Sequence, residues 1–470
     1  MIKQGDRVQN LFDEVGSLDQ RCYEEFHLSE DILMEHAAEG MAQYIRNNFA
    51  LKSKIIIACG SGNNGADGVA LSRLLHTSYD VKLLQLKEPK SPMALLQSTR
   101  AQSIGVEIIT HLEECDVVVD AIVGTGFLGN FNINLSNTLQ KINKLKAFKI
   151  ACDIPSGMSK SGTCASETFK ADTTLTMGAL KKGMFLDEAK DYLGEIHVLN
   201  LGIAREVYET KSNWKLLDLE DLQLPLRENQ NSHKGSYGHL AIARGEKEGA
   251  SVLSALSALR FGSGLVTLVG FSEKPIPYEI MSSHSLPNNA TAIALGMGLG
   301  VEFSDEEISK ILNNKLPLIA DADIFYMKAL KSLLQKESVV LTPHPKEFTQ
   351  LLHSTNIADI SVDKLQKNRF LYVEKFCSKY PNVTLLLKGA NVIIGQENQF
   401  FINPHGSSVL AKGGSGDVLS GLIGAHLAQG YSSLDAAIHG SLAHAKLALN
   451  YKGANFSLSP IDLIEEISRL

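Results

Sequence analysis

Short aliphatic runs that alternate with amphipathic stretches constrain this chain more than any other feature. Lys54–Cys59 (KIIIAC), residues 81–86 (VKLLQL), 117–120 (VVVD), 149–152 (KIAC) and Thr173–Met177 (TTLTM) are brief and apolar. Such runs read as strands buried on both faces. Residues 68–76 and 93–103 read as helices between them, and 29–49 as a further helix outside the sheet, with Ser29 as its N-cap. Strand, helix, strand in repetition implies a parallel sheet with helices on both faces.

A polar stretch at 206–213 follows the last strand-like segment, 197–199, and then the pattern restarts. Residues 240–243, 265–269, 292–295, 318–320, 339–341 and 384–387 are strand candidates; 249–261 and 305–312 are helix candidates. With 470 residues the chain exceeds one ordinary core. The economical reading is α/β throughout: two three-layer αβα domains, 1–213 and 214–470.

Composition excludes several classes of function. A net charge of -7 gives no general attraction to nucleic acid or an anionic membrane, so phosphate binding has to be local. The longest apolar stretch, from Ala290 to Val301, falls short of the roughly 20 residues that span a bilayer. The start carries no apolar core after its charge, so no secretory signal is expected. Cys22, Cys59, Cys115, Cys152, Cys164 and Cys377 form no CxxC pair. That scatter argues for free thiols and against structural zinc, and a cytoplasmic location is expected.

After the first strand comes Gly60-Ser61-Gly62-Asn63-Asn64-Gly65-Ala66-Asp67-Gly68, then a helix. Glycines admit a ligand close to the backbone, and N–H groups at a helix start can face a phosphate. Gly60, Gly62 and Gly65 satisfy G-x-G-x-x-G, which by itself fits a dinucleotide fold or a plain tight turn. The two asparagines and Asp67 add oxygens suited to a monovalent cation or a polyol. Two more loops leave strand ends: the one after Asp120, reaching Gly124-Thr125-Gly126-Phe127-Leu128-Gly129-Asn130, and Asp153-Ile154-Pro155-Ser156-Gly157. In a parallel sheet all three loops share the carboxyl edge, where ligands bind.

GSGNNGADG, VVVDAIVGTG and DIPSG resemble the signatures of the YjeF N-terminal domain, a Rossmann-like NAD(P)HX epimerase, over roughly residues 1–210. NAD(P)HX is NAD(P)H hydrated at C6. The resemblance implies that Asn63, Asn64, Gly65, Ala66, Asp67, Gly124, Thr125, Gly126, Phe127, Leu128, Gly129 and Asn130 hold the substrate. It also implies that Asn64, Asp120 and Ser156 bind potassium and that Asp153 is the acid/base near C6. Ala66 stands where the family usually has glycine.

In the second half, Lys412-Gly413-Gly414-Ser415-Gly416-Asp417 is a glycine-rich turn running into a helix that reaches about Gln429. Its N–H groups and the helix dipole form an anion hole, with Asp417 placed to take a proton from a hydroxyl; an aspartate N-cap is the bland alternative. This GxGD arrangement resembles the ribokinase-like superfamily. The segments 232–239 (SHKGSYGH), 249–250, 260–267, 321–323, 342–345 and 387–392 narrow the resemblance to the YjeF C-terminal domain, an ADP- or ATP-dependent NAD(P)HX dehydratase.

That resemblance implies contacts to the hydrated cofactor from Ala250, Gly298, His344 and Asp417. It implies a nucleotide held by Lys388, Gly389, Ala390, Asn391, Val392, Gly413, Gly414, Ser415 and Gly416, with magnesium on its phosphates and ADP as the bacterial habit. His344 between two prolines is otherwise a rigid loop histidine. His233 and Lys234 are either a solvated basic spot or groups that neutralise a phosphate. Residues 244–249 and Lys346 depart from the family's usual sequence, which puts the fit of the substrate loop in question.

The expected activity is epimerisation of R- and S-NAD(P)HX together with ADP-dependent dehydration of the S form. The expected partners are NADHX, NADPHX and ADP, and a homo-oligomer is the expected assembly. Three rivals stand: a hydroxymethylpyrimidine- or sugar-type kinase, a non-catalytic first domain, and a nicotinamide dehydrogenase resting on G-x-G-x-x-G alone.

Overall fold

The computed structural model describes residues 9–127, 129–270, 274–300 and 304–470. Two compact units divide the chain, Asn10–Ser212 and Asn213–Leu470. No helix among the described residues is long and apolar enough to cross a membrane.

The first unit contains β1 (Gln9–Phe12), β2 (Lys54–Cys59), β3 (Asp80–Gln85), β4 (Glu107–Ile109), β5 (Val117–Ala121), β6 (Phe148–Cys152), β7 (Thr173–Met177), β8 (Leu180–Lys181) and β9 (Glu195–Leu199). Its sheet runs β4-β3-β2-β5-β6-β7-β9 and is parallel throughout. Ile55, Ile57 and Cys59 point to one face, against Met41 and Ile45 of helix α2 (Glu30–Asn48) and Leu71 and Leu75 of helix α3 (Asn63–Leu75). Ile56 and Ala58 point to the other, against Leu135, Leu139 and Ile142 of the Ile133–Lys144 helix. Each isoleucine, leucine or methionine among them contributes roughly 1.5–3 kcal/mol by leaving water, which is why the strands read as unbroken apolar runs. Ser29 caps α2, its hydroxyl accepting from the Ile32 N–H.

Three features of this unit depart from the sequence pattern. Helix α3 begins at Asn63 rather than near Gly68, so Gly65 and Gly68 lie inside a helix that presses on the sheet. A Cβ on Gly68 would come within 2.5 Å of Ala121 Cβ, and glycine permits that approach. A helix at Gly16–Glu25 and the short pairing of β1 with β8 (Leu11↔Leu180) were not foreseen, because neither shows a clear apolar period.

The second unit contains β10 (Trp214–Leu216), β11 (His239–Ala243), β12 (Leu265–Val269), β13 (Met281–Ser283), β14 (Ala292–Leu295), β15 (Leu318–Ala320), β16 (Val339–Leu341), β17 (Val383–Leu387), β18 (Val392–Gln396) and β19 (Gln399–Asn403). The order is β13-β12-β11-β14-β15-β16-β17-β18-β19-β10. Pairing is parallel as far as β17 and antiparallel from β17 to β18 and β18 to β19. The β18–β19 hairpin turns at Glu397-Asn398, with Glu397 at φ +54°, and its turn lacks the glycine that marks most two-residue hairpins.

In both sheets the strand order reverses beside the first long strand, between β2 and β5 and between β11 and β14. At such a reversal the connecting loops part on the carboxyl edge and leave a crevice. Both candidate sites lie on these edges.

Candidate active sites

On the first edge, loops after β2 and β5 surround a cavity of about 480 Å³, within the range of small-molecule sites. Asn63, Asn64, Asp67, Gly124, Thr125, Gly126 and Asp153 line it. Gly65 and Ala66 do not: a Cβ on Gly65 would sit 2.2 Å from the Gly60 carbonyl, and Ala66 is fully buried against Met34 and Ala94. Phe127 is buried with its ring 4.6 Å from that of Phe131, while Gly129 and Asn130 are exposed, away from the lining. Leu128 lies outside the described residues. The glycines of G-x-G-x-x-G divide in role. Gly60 and Gly65 allow backbone to touch backbone, whereas Gly62 opens on space at the cavity.

Asp153 follows β6 with φ +69°, a left-handed conformation that costs a non-glycine residue about 1 kcal/mol or more and persists where surrounding structure enforces it. Its Oδ1 accepts from Thr176 Oγ1 (3.1 Å), Met177 N (3.0 Å) and Lys181 Nζ (2.5 Å). Lys181 is buried and also donates to Thr176 Oγ1 at 2.8 Å. Sequence reasoning passed over Lys181, whose only signal was a lysine inside an apolar run after β7.

Asp120, fully buried, accepts from Ser156 N (2.7 Å), Ser156 Oγ (2.6 Å) and Ile122 N (3.2 Å). Burial outweighs those bonds and pushes its carboxyl up to about 6. The Asn64 amide nitrogen is buried without a partner, and its amide packs against Gly124. Burial also raises Asp67 well above the ordinary carboxylate range, with the charges of Asp153, Asp19 and Glu30 adding to it.

On the second edge, Asp417 sits in the first turn of the Ser415–Ala428 helix, whose preceding Gly414 has φ +91°. Burial and the nearby Asp321 push its carboxyl up to about 6, against the opposing charge of Lys388. Lys388 Nζ donates to both oxygens of Asp321, at 2.7 and 2.8 Å, and Ser420 Oγ donates to Asp321 Oδ2 at 3.2 Å. A Cβ on Gly416 would lie 3.3 Å from Lys388 Nζ, so the lysine reaches the glycine turn itself. Ser415 Oγ meets His444 Nε2 at 3.1 Å. His444 is buried, and its imidazole is pushed down to about 4 by burial and by Lys388. Neither Ser420 nor His444 was singled out from sequence, although Ser420 stands one helical turn from Asp417.

The other expected residues gather on the same edge. Lys247 N donates to Gly298 O at 2.9 Å, and a Cβ on Gly298 would come within 3.1 Å of Ala250. Lys388 N donates to Pro343 O, next to His344. His344 is the N-cap of the Pro345–Ser354 helix: Nδ1 accepts from Glu347 N, and Nε2 lies 3.1 Å from Glu347 Oε1. Val392 begins β18, and Asn391 before it is buried.

His233 and Lys234 lie elsewhere. They precede β11 on the amino edge, where a Cβ on Gly238 would meet Ala428 O at the far end of the Asp417 helix. At 1.5 Å per residue that helix is about 20 Å long. Neither side chain therefore neutralises a phosphate at the glycine turn.

Comparison with known proteins finds relatives for both units. The family model described as YjeF-related protein N-terminus matches residues 30–183, and that described as NAD(P)H-hydrate dehydratase matches residues 241–469. A bifunctional NAD(P)H-hydrate repair enzyme of Helicobacter pylori is 45% identical over 475 residues, covering 98% of this chain and 100% of that protein. The chain belongs to the bifunctional NAD(P)H-hydrate repair enzyme family.

The Escherichia coli member of this repair family is 31% identical over 440 residues, covering 88% of this chain and 84% of its own. The solved ADP/ATP-dependent NAD(P)H-hydrate dehydratase of Bacillus subtilis, co-crystallised with ATP and magnesium, is 28% identical. It covers 52% of this chain and 92% of its own, with a TM-score of 0.46. Helix α1 (Gly16–Glu25) precedes the matched residues 30–183 and supplies Gly16, Asp19 and Tyr23 to the first cavity.

Proposed function

We propose that the first unit interconverts the R and S epimers of NAD(P)HX and that the second dehydrates S-NAD(P)HX to NAD(P)H, converting ADP to AMP and phosphate. The observation that carries this reading is the pair of carboxylates at the two strand-order reversals, Asp153 and Asp417, in a chain of the repair family. The first cavity takes the hydrated nicotinamide against Asp153, with Asn63, Asn64, Asp67 and residues 124–126 around it. The C6 carbon carries both a ring nitrogen and a hydroxyl, so its configuration changes when the C6–O bond breaks and re-forms. Asp153 manages a proton there, and its fixed position beside Lys181 suits that task.

Asn64, Asp120 and Ser156 carry the oxygens that would hold a potassium ion. Asp120 is buried against Ser156, and the Asn64 amide packs on Gly124 of the neighbouring loop. Potassium there supplies fixed positive charge beside the substrate loop.

In the second unit, Asp417 draws the proton from the C6 hydroxyl, and the amides of residues 413–416 face the phosphoryl group under attack. Phosphorylation turns a poor leaving group into a good one, and departure of phosphate from C6 with loss of a proton from C5 restores the ring double bond. Residues 388–392 hold the nucleotide, and Lys388 stands between its phosphates and Asp321. Magnesium, when bound, neutralises charge on those phosphates. Ala250, Gly298 and His344 border the hydrated cofactor.

The test is the near-ultraviolet absorbance of reduced nicotinamide after mixing the protein with equilibrated NADHX epimers, potassium, magnesium and ADP, then ATP. Full recovery of NADH supports both activities; recovery of only the S fraction removes the epimerase. No recovery with either nucleotide removes the dehydratase and returns the second unit to the kinases.

A further inference from the structure

Inverting a carbon that bears a hydroxyl needs two proton transfers. One group protonates the departing oxygen, and another accepts a proton from the water that returns on the other face. Asp153 supplies one such group, and the first cavity holds a further carboxyl that no motif contains. Asp19 comes from α1, outside the matched residues 30–183, and lines the same cavity as Asp153.

Its setting is built for a proton carrier. The hydroxyl of Tyr208, a residue 1% exposed, donates to Asp19 Oδ1 at 2.7 Å. Among the described residues no hydrogen bond reaches Oδ2. Burial raises the Asp19 carboxyl above its ordinary range; the Tyr208 bond and Lys181 oppose that, while Asp153 and Glu14 add to it. Cys22 and Tyr23, on the same helix, are themselves pushed upward and carry no charge at neutral pH. The contrast with Asp153 is direct, since a lysine at 2.5 Å keeps that carboxylate in an ion pair.

We infer that Asp19 is the second catalytic carboxyl of the epimerisation, the partner of Asp153 across the cavity's ligand. This rests on the epimerase reading. In one direction Asp19 gives its proton to the C6 hydroxyl, the ring nitrogen's lone pair forms the N1=C6 bond, and water departs. Water then attacks C6 from the opposite face and gives a proton to Asp153, leaving the inverted hydroxyl and a neutral ring nitrogen. One proton enters and one leaves, and the reverse reaction exchanges the two roles.

The experiment follows conversion of purified R-NADHX to the S epimer by chromatography, with full-length protein and without nucleotide. Asp19→Asn is expected to lose at least about 100-fold of the rate above the spontaneous background, the scale of a lost proton carrier. Dehydration of S-NADHX with ADP stays unchanged in the same preparation. Tyr208→Phe removes the bond that favours the charged carboxyl. Its rate is expected to persist to higher pH, with the alkaline fall displaced upward, a response that loss of packing alone does not give.

Full conversion by Asp19→Asn, or an alkaline limb unmoved in Tyr208→Phe, overturns the inference. Wild-type protein that converts no faster than background overturns the epimerase reading, and the inference with it.

Discussion

Both units place a carboxylate at a strand-order reversal, yet they hold it in opposite ways. Asp153 is clamped: its backbone is strained at φ +69°, and one oxygen takes three donors, among them the Lys181 ammonium. Asp417 stands at a helix start with no hydrogen bond to its carboxyl among the described residues, and burial pushes it up to about 6. The clamped acid gains a fixed position. The unclamped one gains basicity, which is what drawing a proton from an alcohol requires. Similar topology therefore supplies the edge, and the local donors decide which chemistry each edge suits.

The sharpest way to break this comparison is to remove each carboxylate in turn. Asp417→Asn is expected to cost about 10²–10⁴-fold in ADP-dependent dehydration and to leave R-to-S conversion intact. Asp153→Asn is expected to do the reverse. Measuring both reactions on both variants checks the assignment; a variant that loses both activities breaks the separation.

A smaller loss follows from unclamping Asp153. Lys181→Met leaves the carboxylate without its cation in a largely buried setting, 4% and 15% exposed for the two side chains. Removing one member of a buried pair costs about 3–5 kcal/mol, readable as a lower denaturant midpoint. Epimerisation should fall in parallel, while dehydration in folded protein should hold.

The unclamped side yields a pH prediction. Asp417 must be ionised to act as base, so kcat/KM for S-NADHX at saturating ADP is expected to fall about tenfold per pH unit below about 6. Lys388 favours the charged form, so Lys388→Met should move that midpoint upward. A midpoint that stays put would show that Lys388 serves the nucleotide alone.

How much of this was legible beforehand differs between strands and side chains. The apolar runs marked most of the parallel strands, because strands buried on both faces need continuous apolar sequence. They missed the β18–β19 hairpin, whose turn at Glu397-Asn398 lacks glycine, and they missed α1, whose apolar positions are few. Glycine-rich segments located both edges. They did not separate Gly62, which opens on the cavity, from Gly65, which exists for packing, since only the third dimension shows what a Cβ would strike. Lys181, Asp19 and His444 reach their sites from distant elements and carry no local pattern. SHKGSYGH was conspicuous in sequence, yet its basic residues lie on the amino edge, where the turn it forms packs under β11 and β12.

The last comparison separates the units by their response to acid. In the first unit, burial raises Asp120 to about 6, and Asp19 and Asp67 are raised as well. A raised carboxyl binds its proton more readily folded than unfolded, so its contribution to stability grows as pH falls through 6 toward the unfolded value near 4. In the second unit, His426 is fully buried, has no partner for either ring nitrogen among the described residues, and is pushed down to about 3 by burial and by His439. His444 is lowered to about 4. Between those values and about 6.5 the unfolded chain takes up protons that the fold excludes. Each such histidine then costs about 1.4 kcal/mol per pH unit of acidification, a loss that the raised Asp417 offsets only in part. Amide exchange at pH 7 and pH 5, corrected for intrinsic rates, should show protection held or increased in β2 and β5 and reduced in β11 and β14. His426→Phe should restore much of the lost protection, since it replaces a partnerless imidazole beside Phe261 and Tyr431 with an apolar ring. Equal losses in both units, or no recovery in His426→Phe, would mean that the acid response arises elsewhere than in these buried groups.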